Sequence, residues 1–335
     1  MSSCSQPRGV NVISKPRLSI GLPVYNGADY VAQSLEALLG QTFEDFELIL
    51  SSNASTDATD DICRAYAARD RRIRFFRQRT NIGAVPNHNF VFEQSTGDLF
   101  KWASGDDLYA RDLLARCIQR LDEHPEAILA HSWTAAIDGA GAVIQAHPYP
   151  LETDVRSASK RLHSMLFGGD DLPGAIRADD FYGVIRTDVL RRVKPLDSYY
   201  HSDQTFMAEL TLHGPFVQVP EWLYFRRHHP GRAHQAMPTT RTWCANLDPN
   251  RASRLRHPAI RLVGEYVWAY YDSVRRAPLT PDERRRCYRE ISRWLANRAN
   301  RRLSGRSVPV ERSAVNHVAG PVTIRSVVAG QPPGQ

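Results

Sequence analysis

Lysine is scarce in this chain. Of 43 Lys and Arg residues only four are Lys: Lys15, Lys101, Lys160 and Lys194. Genome base composition can produce such an Arg bias, so the basic balance alone does not define a partner. Cysteine is thin as well. Five are scattered at Cys4, Cys63, Cys117, Cys244 and Cys287, with no CxxC pair. That spacing argues against a disulfide framework and a structural zinc site, and fits a reducing compartment. No apolar run reaches the roughly 18 residues that a membrane-crossing helix needs. Residues 1–17 have no apolar h-region of the kind a secretory signal carries. A cytoplasmic location is expected, with peripheral contact at the inner face of the cell membrane as its membrane association.

What is present is an ordinary globular composition over 335 residues, enough for one large domain plus an extension. The net charge of +7 is unevenly placed. From Gly231 onward there are nineteen Arg, no Lys and seven acids, so the body before it is acidic. A basic end on an acidic body suits an anionic surface. Nucleic acid is not expected, because aromatics interleaved with the basic residues are lacking.

Strand and helix patterns alternate over the first 135 residues. Strands are expected at 17–22, 46–50, 73–76, 99–103 and 127–131, and helices at 28–39, 58–69, 85–94 and 108–121. This alternation calls for an α/β fold, a largely parallel sheet with helices on both faces. Further on come a hairpin over 133–144, helices at 155–167, 187–193 and 203–213, and strands at 181–185, 216–219 and 222–226. Two helices, 258–276 and 281–303, close the ordered part. The expected organisation is an arm over 1–16, a catalytic domain over 17–232 with halves 17–125 and 126–232, a mobile linker over 233–257, an Arg-rich helical extension over 258–304 and a disordered tail over 305–335.

The stretch Lys101–Asp107 ends an apolar run in two adjacent carboxylates. Adjacent acids repel unless a cation or donor compensates them. They suit a hard ion such as Mg2+ or Mn2+ carrying a diphosphate, or one of them caps the helix expected from near Tyr109. In open α/β sheets ligands bind beyond the carboxyl ends of the strands. Tyr25–Asn26, Ser52–Asn53 and Asp106–Asp107 all fall there, which favours a ligand site over a cap. The pairs Asp170–Asp171 and Asp179–Asp180 read as solvated loop acids, and Trp102 as core.

The run Pro23-Val24-Tyr25-Asn26, then Gln41-Thr42-Phe43, Phe46-Glu47-Leu48-Ile49, Asn53-Ala54-Ser55-Thr56-Asp57, Asn81-Ile82-Gly83, Thr96-Gly97-Asp98 and Asp106-Asp107 resembles the inverting glycosyltransferases of family two. The resemblance is strong over 17–125 and thins toward 232. It implies a GT-A fold, a Rossmann-like mixed sheet flanked by helices, here with an α-helical C-terminal extension. It implies transfer of a sugar from a nucleotide-diphosphate donor to a sugar or lipid-linked acceptor, in cell-surface polysaccharide or glycolipid synthesis. Tyr25 would stack on the base in a pocket shaped by Pro23 and Asn26, and Asn53 would face the base edge. Asp57 stands at a helix start near the donor. Asp106 would meet the ribose or phosphate side, Asp107 would ligate Mg2+ or Mn2+, and His229 would reach back toward that metal. Asp203 would be the catalytic base. No Arg or Lys lies in its own helical turn, and its bland alternative is an N-cap. A single base opposite the leaving group gives inversion. The chain departs from the family at Ser52–Asn53, where two acids are common, and at Gly105 before the acid pair.

Two rival readings remain: a nucleotidyltransferase that makes nucleotide-sugars, and a non-catalytic sugar-nucleotide binding module. The first normally needs a Gly-rich, Arg-containing loop after strand one, where this chain has Pro23-Val24-Tyr25-Asn26-Gly27. The helix 281–303 has Tyr288, Ile291, Trp294 and Leu295 on one side with arginines around them. It either lies on an anionic membrane or docks on the catalytic domain.

Overall fold

The computed structural model describes residues 15–168, 179–232, 237 and 239–303. Most of the expected N-terminal arm, the Asp170–Asp171 pair and the tail lie outside these residues. The first half builds β1 (Leu18–Val24), α1 (Val31–Leu39), β2 (Phe46–Ser52), α2 (Thr59–Arg69), β3 (Ile73–Arg77), α3 (Ala84–Glu93) and β4 (Leu99–Trp102). These strands run parallel, β2 between β3 and β1, and β4 on the far side of β1. Alternation along the strands sorts the core into two layers. Leu18, Ile20 and Leu22 join Leu48 and Leu50 on one face, while Ile49, Phe100 and Trp102 lie on the other. Gly21 is where α3 comes closest: a Cβ there would lie 2.7 Å from Cγ2 of Val91. Trp102 is core, stacked on Phe181 at 4.7 Å between ring centroids.

The second half adds β5 (Leu108–Tyr109), α4 (Leu113–Glu123), β6 (Leu129–Ile137), β7 (Val143–His147), α5 (Ala158–Phe167), β8 (Val184–Arg186), α6 (Thr187–Leu190), α7 (Ser202–His213) and β9 (Phe216–Arg227). Among the described residues one sheet runs β3-β2-β1-β4-β8-β6-β9-β5, with β7 on β6. β8 is antiparallel to both β4 and β6, which makes the sheet mixed. The strands expected at 216–219 and 222–226 are one strand of 12 residues.

Two expectations change here. No helix follows the acid pair directly, because Leu108 and Tyr109 pair with Phe225 and Tyr224 and α4 starts only at Leu113. Neither Asp106 nor Asp107 is therefore a helix cap. The segment expected as a mobile linker contains α8 (Thr240–Leu247), opened by a capping box between Thr239 and Thr242.

The last helices, α9 (Ala259–Arg276) and α10 (Pro281–Leu303), fold back on α5 and α7. Cys287, Ile291 and Trp294 are buried with Tyr266, Tyr270, Leu162 and Leu212. The apolar side of α10 thus docks on the catalytic domain. Among the described residues no helix is long and apolar enough to cross a membrane.

Candidate active site

The loops after β1 and β2 are tied to each other by polar contacts. Asn26 adopts a left-handed φ of 48°, and its Oδ1 accepts from the Thr56 N–H at 2.8 Å. The Gly27 N–H donates to Thr59 Oγ1 at 2.8 Å, and the Ala28 N–H to Asp57 Oδ2 at 3.1 Å. Asp57 Oδ1 accepts from the Thr59 N–H and hydroxyl. Burial works to raise the Asp57 carboxyl, but these donors outweigh it and hold the group below its ordinary range. The polar ends of Asp57 and Asn26 thereby clamp one loop to the other. Tyr25, beside them, is 48% exposed.

Asn53 is almost fully buried and its amide is engaged on every side. Nδ2 donates to Asn81 Oδ1 at 3.0 Å and to the Gly83 carbonyl at 3.1 Å, and Oδ1 accepts from the Ile82 N–H at 2.9 Å. It fastens the 81–83 loop to the end of β2. Gly83 has φ 96°, and a Cβ there would lie 2.5 Å from the Leu247 carbonyl oxygen of α8.

The two members of the acid pair have different surroundings. Asp107 is fully buried. Its Oδ2 accepts from the Tyr224 hydroxyl, and its Oδ1 from the Arg227 N–H at 2.8 Å and Arg232 Nη1 at 3.0 Å. Burial and repulsion from Asp106 push its carboxyl up, against Arg232 and Tyr224. Asp106 is part-exposed, its side chain 22% accessible. It accepts from the Ser104 hydroxyl, and its Oδ2 lies 3.0 Å from His229 Nε2 and 3.5 Å from Arg232 Nη1. Burial raises this carboxyl, but Arg232, Ser104 and His229 together bring it below its ordinary range. His229 also packs against Tyr30, ring centroids 4.8 Å apart.

β9 supplies most of this environment. The buried Arg227 donates from Nε to the Asp106 carbonyl at 2.8 Å, from Nη1 to the Gly139 carbonyl at 2.9 Å and from Nη2 to Gln33 at 2.9 Å. Arg226 instead turns to Asp179, at 3.1 Å. Lys101, under the acid pair, has its amine pushed down to about 8 by burial and donates to the Tyr182 carbonyl.

Asp179 and Asp180 correct the sequence reading: they are buried, not solvated. Burial pushes the Asp179 carboxyl up to about 7, against Arg226, and that of Asp180 up to about 6, against the Tyr149 hydroxyl. Asp179 is close enough to feel the charge of Asp107, and Asp180 that of Asp203. Asp203 lies in the first turn of α7, after His201, whose φ is 58°. Among the described residues Asp203 makes no hydrogen bond or ion pair.

The arrangement does not fit a divalent ion. An ion needs open oxygen lone pairs, and protein N–H and O–H groups face both oxygens of Asp107. Arg232 already lies against both acids. Among the described residues no group of three or more His, Cys, Asp or Glu side chains is placed to hold a metal.

A mixed sheet whose parallel strands end in polar loops, with an acid pair after β4, is the GT-A architecture. The model of glycosyl transferase family 2 matches residues 19–186, and the chain belongs to that family. EpsE of Bacillus subtilis, named as a glycosyltransferase, is 34% identical over 112 residues, 33% of this chain and 40% of EpsE. TuaG of the same organism, named for teichuronic acid biosynthesis, is 30% identical over 109 residues, 32% of this chain and 43% of TuaG. The chain thus spans less than half the length of these relatives. Among solved structures, Staphylococcus aureus TarS in complex with UDP-GlcNAc superposes with a TM-score of 0.54 at 17% identity, over 86% of this chain and 92% of that one.

Proposed function

We propose that this chain transfers a sugar from a nucleotide-diphosphate sugar to an acceptor hydroxyl, with inversion at the anomeric carbon. One arrangement carries the reading: Tyr25 and Asn26 follow β1, Asn53 follows β2 and Asp106 follows β4, all at the carboxyl ends of parallel strands, while Asp203 at the head of α7 makes no hydrogen bond or ion pair among the described residues. Tyr25 presents its ring to the base over the turn from Pro23. Asp106 meets the ribose or phosphate side together with His229. Asn53 and Asp57 serve the donor indirectly, by fixing the loops that form its pocket. Asp203 takes the proton from the acceptor hydroxyl as the anomeric carbon parts from the diphosphate. Such a base contributes roughly 10²–10⁴-fold.

The sequence expectation of Mg2+ or Mn2+ at Asp107 and His229 is one way to offset charge on the leaving diphosphate. The surroundings of Asp107 do not favour it, and no step here runs through an ion. TarS binds UDP and UDP-GlcNAc, which makes uridine donors the first to try. TuaG points to surface polysaccharide as the product class.

The acceptor is a sugar or a lipid-linked sugar, and an anionic membrane is the partner surface. The docked α10 no longer supports that contact. The segment leading into α9 and that helix do: Leu255, Ile260, Val263 and Trp268 are exposed large apolar side chains, with Arg254, Arg256 and Arg261 close to them in sequence. Apolar side chains flanked by arginines suit an anionic bilayer surface.

The test is a panel of UDP-, dTDP- and GDP-sugars, read by thermal shift and by nucleoside diphosphate release with simple sugar acceptors. A donor at 100 times its Kd adds about 2.7 kcal/mol of stability. If no donor stabilises the chain and none is turned over, the reading fails.

A further inference from the structure

We propose that the guanidinium of Arg232 is the cation that carries the donor diphosphate in this chain, in the place a divalent ion would otherwise take. The inference rests on the glycosyltransferase reading and names how that site holds its donor.

The geometry is specific. Arg232 Nη1 lies 3.0 Å from Asp107 Oδ1 and 3.5 Å from Asp106 Oδ2, so one nitrogen bridges both acids. The same nitrogen donates to the Arg227 carbonyl, which fixes it at the end of β9. All these contacts run through Nη1. A guanidinium has five N–H donors in a planar fork, and the fork matches phosphate oxygens two at a time. Arg232 is thus seated by one arm on the acids, and among the described residues no hydrogen bond occupies its Nη2 or Nε. Arg227 is buried with Nε, Nη1 and Nη2 all donating to protein oxygens, so its guanidinium braces the acid pair and Arg232 is the one placed to meet a diphosphate. An incoming ion would have to displace Arg232 from both carboxylates and then sit beside it, against like charge.

The experiment is titration calorimetry of the full chain with UDP, dTDP and GDP, in EDTA and in Mn2+. The expected result is binding in EDTA within about threefold of that in Mn2+, and a loss of about tenfold or more in Arg232→Gln, as for one charged hydrogen-bonding contact. Binding by the unmutated chain that requires Mn2+ overturns the proposal and leaves the glycosyltransferase reading intact. Unchanged binding by a folded Arg232→Gln in EDTA overturns it too. Failure of every nucleoside diphosphate to bind, with or without Mn2+, overturns the reading and the proposal together. The EDTA comparison uses no variant, so it decides the matter even where Arg232→Gln does not fold.

Discussion

The hydroxyl of Tyr224 donates to Oδ2 of Asp107, and both groups are buried. The Tyr224 ring also stacks on Tyr109, with centroids 5.7 Å apart. Tyr224→Phe keeps the stack and strips one donor from a buried carboxylate, at a cost of about 1–3 kcal/mol. Urea denaturation of the purified variant measures it. A midpoint equal to that of the unmutated chain would show that the hydroxyl contributes nothing to holding Asp107.

Asn53→Asp replaces the donor to Asn81 Oδ1 and to the Gly83 carbonyl with a second acceptor. The 81–83 loop then loses its tether and gains repulsion. The expected outcome is weaker binding of every nucleoside diphosphate by a similar factor, measured by calorimetry. A change of preference among uridine, thymidine and guanosine would instead mark Asn53 as a direct reader of the base edge.

Asp203→Asn removes the proton acceptor at the head of α7 and keeps its shape. Sugar transfer falls by roughly 10²–10⁴-fold, while affinity for the nucleoside diphosphate stays within about twofold, since no hydrogen bond or ion pair ties Asp203 to a described residue. Transfer assays alongside calorimetry separate the two. Undiminished transfer would remove Asp203 from the mechanism.

The α/β alternation was legible because it rests on local periodicity: Leu48, Ile49 and Leu50 sort to opposite layers as the two-residue repeat requires. That Tyr25, Asn53 and Asp106 follow strand ends was legible for the same reason. What was not legible depends on partners far away in the chain. Leu108–Tyr109 read as a helix start because nothing local announces Tyr224 and Phe225 across the sheet. Asp179–Asp180 read as solvated because two adjacent acids usually are, and only tertiary contact buries them against Tyr149 and Arg226. Arg232 carries no local signal in a chain so rich in arginine.

The Asp180 carboxyl, pushed up to about 6 by burial from an ordinary 3.8, gives a pH signature. Between about pH 4 and 6 the folded chain keeps a proton that the unfolded chain releases. The stability from this group is therefore full below pH 4 and lost as pH rises through 6. Asp180→Asn cannot ionise and removes that slope, while its amide oxygen still accepts from Tyr149. Unfolding midpoints from pH 4 to 7 should fall less for the variant than for the unmutated chain. Parallel curves would contradict the buried, proton-holding assignment.

Replacing Ile260 and Trp268 with Ser together removes apolar surface that is exposed on α9. Sedimentation with phosphatidylglycerol vesicles at low salt should drop, and the melting temperature should hold. Absence of vesicle binding by the unmutated chain would remove the membrane from the list of partners.

The Tyr224–Asp107 contact joins groups 117 residues apart in sequence. Closing a loop of that length is entropically late, after the local β1 to β4 units have formed. During synthesis the parallel strands can therefore assemble while Asp106 and Asp107 still face water, without Tyr224, Arg227 and Arg232. The acid pair gains these partners only once β9 has crossed the sheet, so a chain arrested before that point carries the parallel strands without the donors that hold Asp107.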